Sequence, residues 1–170
     1  MKRPVPMVTL EFNELSPLLM DQFIREGKLP NFERLRSQSQ VYVTEADEIA
    51  PNLEPWIQWL TVQTGLSYDE HRIFDLGDGH KLPYPRTAEL LSEAGFKIWV
   101  CASMNAAFRK PPNGFFLPDP WSVGAVPYPA REFDTFFDYV RRNVQEHSRE
   151  KNVISKSDHL NFLGYMVKNG

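Results

Sequence analysis

The sequence predicts an α/β fold in which helices flank a partial, doubly wound and mostly parallel sheet. Three observations predict it. Residues 5–12 form an apolar, β-rich run that passes into a capped helix. Residues 87–102 read helix, glycine, strand, which is half of a βαβ unit. Phe133, Phe136, Phe137, Val140 and Val144 recur at the helical period and give one apolar face.

The elements follow in order. The run 5–12 is expected to be a buried first strand. Ser16 then offers a cap, Pro17 suits a first helical position, and Gly27 ends the helix that carries Leu18, Leu19, Phe23 and Ile24. Asn31 is placed to cap a short helix with Phe32 and Leu35, and Val41-Tyr42-Val43 reads as a second strand. Pro55 disfavours helix at Glu54 and opens a helix lined by Trp56, Trp59 and Leu60. After a turn-rich loop, residues 87–94 form a helix closed by Gly95, and residues 96–102 a third strand holding Trp99 and Cys101 in the core.

Residues 103–129 form an irregular excursion rich in proline and glycine. Such a length without periodicity points to a substrate-side or lid region. The helix around Phe133–Val144 is followed by capping-box spacing at Ser155 and Asp158 before a last helix bearing Leu160, Leu163 and Val167. The whole reads as one α/β domain over residues 1–170. Three strands among about six helices make an unfinished sheet, so the chain is expected to be the N-terminal portion of a larger domain.

Composition narrows the function. Lys+Arg number 19 against 22 Asp+Glu, a formal charge of −3, which lacks the basic excess a nucleic-acid binder needs. The hydrophobic share of 42% and the charged share of 24% suit a globular chain rather than a disordered one. One cysteine, Cys101, excludes an internal disulfide framework and a Cys-rich zinc site. No apolar run approaches a membrane span, and the basic pair Lys2-Arg3 is not followed by the apolar core of a secretory signal. A cytoplasmic protein without membrane contact is the expectation.

Phosphate-loop, dinucleotide-loop and Gly-x-Ser-x-Gly signatures do not occur. Acids at element ends remain. Asn13 and Glu14 fall just past the first strand, where open α/β sheets place ligands. Glu54 falls where a helix begins, and a carboxylate there can cap the helix or ligate a hard cation that holds an anionic substrate. Arg109 beside Lys110 is a candidate contact for an anionic substrate. Trp121, in the irregular stretch FFLPDPW, is a candidate stacking platform.

The segments ELSPLLMDQFIREGKLPNFERLRSQS, PNLEPWIQWLTVQTG, EHRIF and TAELLSEAGFKIWVCAS together resemble the N-terminal part of the alkaline phosphatase superfamily. The nearest branch is the type I phosphodiesterase/nucleotide pyrophosphatase and sulfatase-like enzymes. The resemblance implies an alkaline-phosphatase-like sheet, divalent metal ions such as zinc, and hydrolysis of phosphate or sulfate esters. It places Asn13 where the family has its first metal-binding Asp, with Glu14 beside it. Glu54 or Pro55 falls where the family has a nucleophilic Thr or Ser. Glu54 is thus the implied catalytic and metal-facing residue, and a missing C-terminal half would supply the other ligands. The replacements leave open a non-catalytic α/β module that binds an anionic ligand or a partner protein.

Overall fold

The computed structural model describes residues 5–122, 124–149 and 154–169. Contacts divide the chain into two compact units, Met1–Ala46 and Asp47–Gly170.

The first unit holds helices α1 (Pro17–Arg25) and α2 (Pro30–Ser37). Ser16 caps α1 as its sequence position predicts, its Oγ accepting the Leu19 N–H at 3.4 Å. Asn31 does not cap α2. Pro30 already takes the first helical position with Leu29 at the N-cap, so Asn31 lies inside the helix. An Asp21–Arg36 ion pair joins the two helices, and Phe12 meets Phe32 edge to face.

The two strands expected here do not form. Residues 5–12 and 41–43 have no ladder partner among the described residues, and Val5 and Val43 are 88% and 91% exposed. β-propensity sets a strand's conformation, but its hydrogen bonds must come from a neighbouring strand. No described residue of this unit is buried.

The second unit opens with α3 (Pro55–Thr64), whose Ile57 and Leu60 are fully buried, and α4 (Tyr68–His71). Gly65 ends α3 in the left-handed conformation, its N–H bonded to the Thr61 carbonyl at 2.7 Å. A 3-10 turn, Asp78–Lys81, leads to α5 (Thr87–Glu93). Strands β1 (Ile98–Cys101) and β2 (Gly114–Leu117) pair in parallel, Ile98 opposite Gly114 and Cys101 opposite Leu117. Gly114 is required there. Its φ is +146°, and a Cβ would overlap the Ile98 carbonyl oxygen. Phe116 and Tyr128 exchange two backbone hydrogen bonds, 2.8 and 2.7 Å, along the other side of β2.

The sheet among the described residues is therefore two parallel strands, smaller than the doubly wound sheet expected, and residues 102–113 join them without a helix. The fold is α/β in this reduced sense. β2 itself lies in the stretch read as irregular.

That stretch contributes to the core. Ala106, Ala107, Phe116 and Ala125 form the buried cluster, with Val100 and Phe108 packed on it. Six prolines at 111, 112, 118, 120, 127 and 129 remove backbone freedom without requiring periodicity, so a packed segment reads as a loop. Trp99 and Cys101 also depart from expectation. Strand side chains alternate, and with Ile98 and Val100 turned inward, Trp99 (76% exposed) and Cys101 face outward.

Helices α6 (Ala130–Arg149) and α7 (Lys156–Asn169) complete the unit. Phe137 of α6 is buried. Tyr139 stacks flat on Phe162 of α7 at 4.0 Å, and the Tyr165 hydroxyl donates to the Glu132 carbonyl at 2.9 Å. Ser155 and Asp158 form the reciprocal cap, with Asp158 N–H to Ser155 Oγ at 3.2 Å and Ser155 N–H to Asp158 Oδ2 at 2.8 Å.

Candidate functional site

Glu54 occupies the N-cap of α3 with extended backbone, φ −65° and ψ 138°. Its carbonyl takes the Ile57 and Gln58 N–H groups at 2.9 and 3.1 Å, but its side chain makes no cap hydrogen bond and is exposed. Glutamate is an inferior N-cap compared with Ser, Thr, Asp or Asn, because its longer stem does not fold back onto the N2 and N3 amides. The helix therefore starts behind an uncommitted carboxylate. Around it, the Gln58 amide donates to the Asn52 carbonyl at 2.9 Å, and the Trp56 indole N–H donates to the Phe74 carbonyl at 2.8 Å.

Behind α3 lies a buried polar network. Arg86, 3% exposed, donates to Gln63 Oε1 at 3.0 Å, to the Ala107 carbonyl at 2.9 Å and to the Gly79 carbonyl at 2.5 Å. Burial brings its pKa down to about 10, with Glu89 opposing. For Glu89, 5% exposed, burial pushes the pKa up. The hydrogen bonds from the Arg86 amide and from the Arg109 amide and guanidinium outweigh that and leave it lowered. Asn105 is fully buried and left-handed at φ +57°. Its Oδ1 accepts the Gly77 and Gly79 N–H groups at 3.1 and 2.8 Å, and its Nδ2 donates to the Trp56 carbonyl at 3.2 Å. These groups fix α3, α5 and the 3-10 turn together.

Arg109 belongs to this network. Its Nε bonds Glu89 at 3.0 Å and its Nη1 donates to the Pro83 carbonyl at 3.1 Å, while the residue stays part exposed. Trp121 is 42% exposed, and its backbone N–H donates to Asp119 Oδ1 at 3.3 Å. Asp119 is 6% exposed with no hydrogen-bond partner at Oδ2. Burial raises its pKa, and the amides of Trp121 and Asn105 oppose the rise.

Asn13 and Glu14 lie in the first unit, in the turn after the run 5–12, and both are exposed. Glu14 adopts φ +56°. Glu54 is in the second unit. Among the described residues no three His, Cys, Asp or Glu side chains converge as a bound metal ion requires.

Arg86, Glu89, Asn105 and Asp119 were not singled out from sequence. A legible signal existed for one pair: Arg86 and Glu89 are three apart at a helix start, and Glu89 Oε2 accepts the Arg86 N–H at 2.9 Å. Comparison with protein-family models, with curated proteins and with solved structures finds no match to this chain.

Proposed function

We propose that this chain is a hydrolase-like α/β module for phosphate or sulfate esters, contributing Glu54 to a site that further polypeptide completes. The observation that carries the reading is the uncapped N-terminus of α3, where a long exposed carboxylate stands in a position that stability would give to serine or aspartate. The order of segments resembling the alkaline phosphatase superfamily supports the ester chemistry. A divalent ion would need ligands beyond those the described residues assemble, and Trp121 offers an exposed aromatic surface to a substrate.

A second reading, a non-catalytic module for an anionic ligand or partner protein, is favoured by the first unit. Val5, Met7, Val8, Leu10, Tyr42 and Val43 are exposed there and no described residue is buried.

The test is hydrolysis of aryl phosphate, phosphodiester and sulfate esters, with and without chelator. It uses this chain alone and the longest polypeptide that its reading frame encodes. The expected result is no turnover by the chain alone and chelator-sensitive turnover by the longer product, abolished by Glu54→Gln. Equal activity of the Glu54→Gln protein removes Glu54 from the mechanism, and inactivity of both products favours the second reading.

A further inference from the structure

His71 is 2% exposed at the end of α4, and its hydrogen bonds define its tautomer. Nδ1 accepts the Ile73 N–H at 3.1 Å, so Nε2 carries the hydrogen and points at Thr61 Oγ1 of α3, 3.4 Å away. The Tyr68 ring stands edge to face against the imidazole at 5.7 Å. One residue beyond Ile73, the Phe74 carbonyl holds the Trp56 indole in the first turn of α3, two residues from Glu54. A single short segment thus runs from the imidazole to the helix start.

We propose that His71 is a proton-operated latch on the first turn of α3. A proton taken from solvent at Nδ1 occupies the lone pair that accepts the Ile73 N–H, which frees residues 73 and 74 and lets go of the Trp56 indole. The latch goes beyond the ester reading and does not rest on it.

The neutral ring is the resting form. Burial holds the His71 pKa below the ordinary histidine value. The charged groups that act on it, Glu48 ahead of α3 and Glu70 on α4, favour the proton and set where the latch opens. The sign follows from the depressed value. The folded chain is fully latched above the unfolded histidine pKa of about 6.5 and loses that contribution as pH falls through the lower folded value.

The experiment is a pH titration of the full 15N-labelled chain, following the His71 ring nitrogens, the Ile73 amide and the Trp56 indole N–H by NMR. The expected result is that Ile73 and Trp56 lose protection at least about tenfold, beyond the intrinsic pH trend of exchange, in step with protonation of His71 Nδ1. His71→Asn keeps an acceptor for the Ile73 N–H and cannot take the proton, so its chain is expected to lack the response. Protection that holds through the His71 titration overturns the proposal. So does an unchanged response in His71→Asn, which assigns the effect to Glu48 and Glu70. If that variant does not fold, the titration of the unaltered chain decides alone.

Discussion

Glu89 Oε1 accepts two hydrogen bonds from Arg109, one from the backbone N–H and one from Nε, each at 3.0 Å. Its other oxygen takes the Arg86 amide, with the Arg86 guanidinium 3.7 Å away. One buried carboxylate thereby anchors two arginines from separate segments. Glu89→Ala leaves Arg86 buried without its counter-charge, and a loss of about 3 kcal/mol is expected in urea unfolding. Because the Glu89 pKa is lowered, its contribution is complete above the ordinary carboxyl value of about 4.3 and fades as pH falls through the lower folded value. The gap between the wild type and Glu89→Gln should close in acid.

Asn105 satisfies three backbone groups at once. Asn105→Ala strands the Gly77 and Gly79 N–H groups and the Trp56 carbonyl, at a cost of about 3 kcal/mol by chemical denaturation. Gly79→Ala should be comparably damaging, since its Cβ would overlap the Asn105 carbonyl oxygen.

At the start of α3, Glu54→Ser supplies the cap that glutamate does not. The expected gain is about 1 kcal/mol, read as a higher melting temperature, whereas Glu54→Gln should leave the melt unchanged. A loss of stability in either variant would show that the Glu54 side chain has a structural partner in solution.

Asp119 should behave in the opposite sense to Glu89. A raised pKa means that the folded state favours the protonated acid. Its contribution is therefore present below the unfolded value of about 3.9 and lost as pH rises through the folded one. Asp119→Asn keeps an acceptor for the Trp121 N–H and removes the buried charge. Its stability relative to the wild type should improve as pH rises, measured by denaturation at a series of pH values.

Apart from the four-residue α4, which lies in the stretch read as a turn-rich loop, the helices were legible because their signals are local. Ser16-Pro17, Pro55 with Gly65, Gly95, and Ser155 with Asp158 mark ends through groups within a turn of one another, and the ends fall there. Strands depend on partners distant in sequence. The run 5–12 has the pattern without the ladder, while β2 has the ladder inside a proline-rich stretch whose only cue is the pair Phe115-Phe116. The N-cap position of Glu54 was legible from Pro55 beside it. Arg86, Glu89 and Asn105 were not, because their importance comes from burial, and a lone Arg, Glu or Asn in sequence resembles any solvated residue.

The first unit, in which no described residue is buried, has a calorimetric consequence. Unfolding heat scales with the residues that leave a packed environment, at about 0.7 kcal/mol per residue near 60 °C. If the residues before Asp47 contribute none, the endotherm of this chain corresponds to the 124 residues from Asp47 to Gly170, or about 90 kcal/mol, rather than the roughly 120 kcal/mol of a uniformly packed 170-residue protein. Heat recovered on adding a binding partner would then measure how much of the first unit that partner covers.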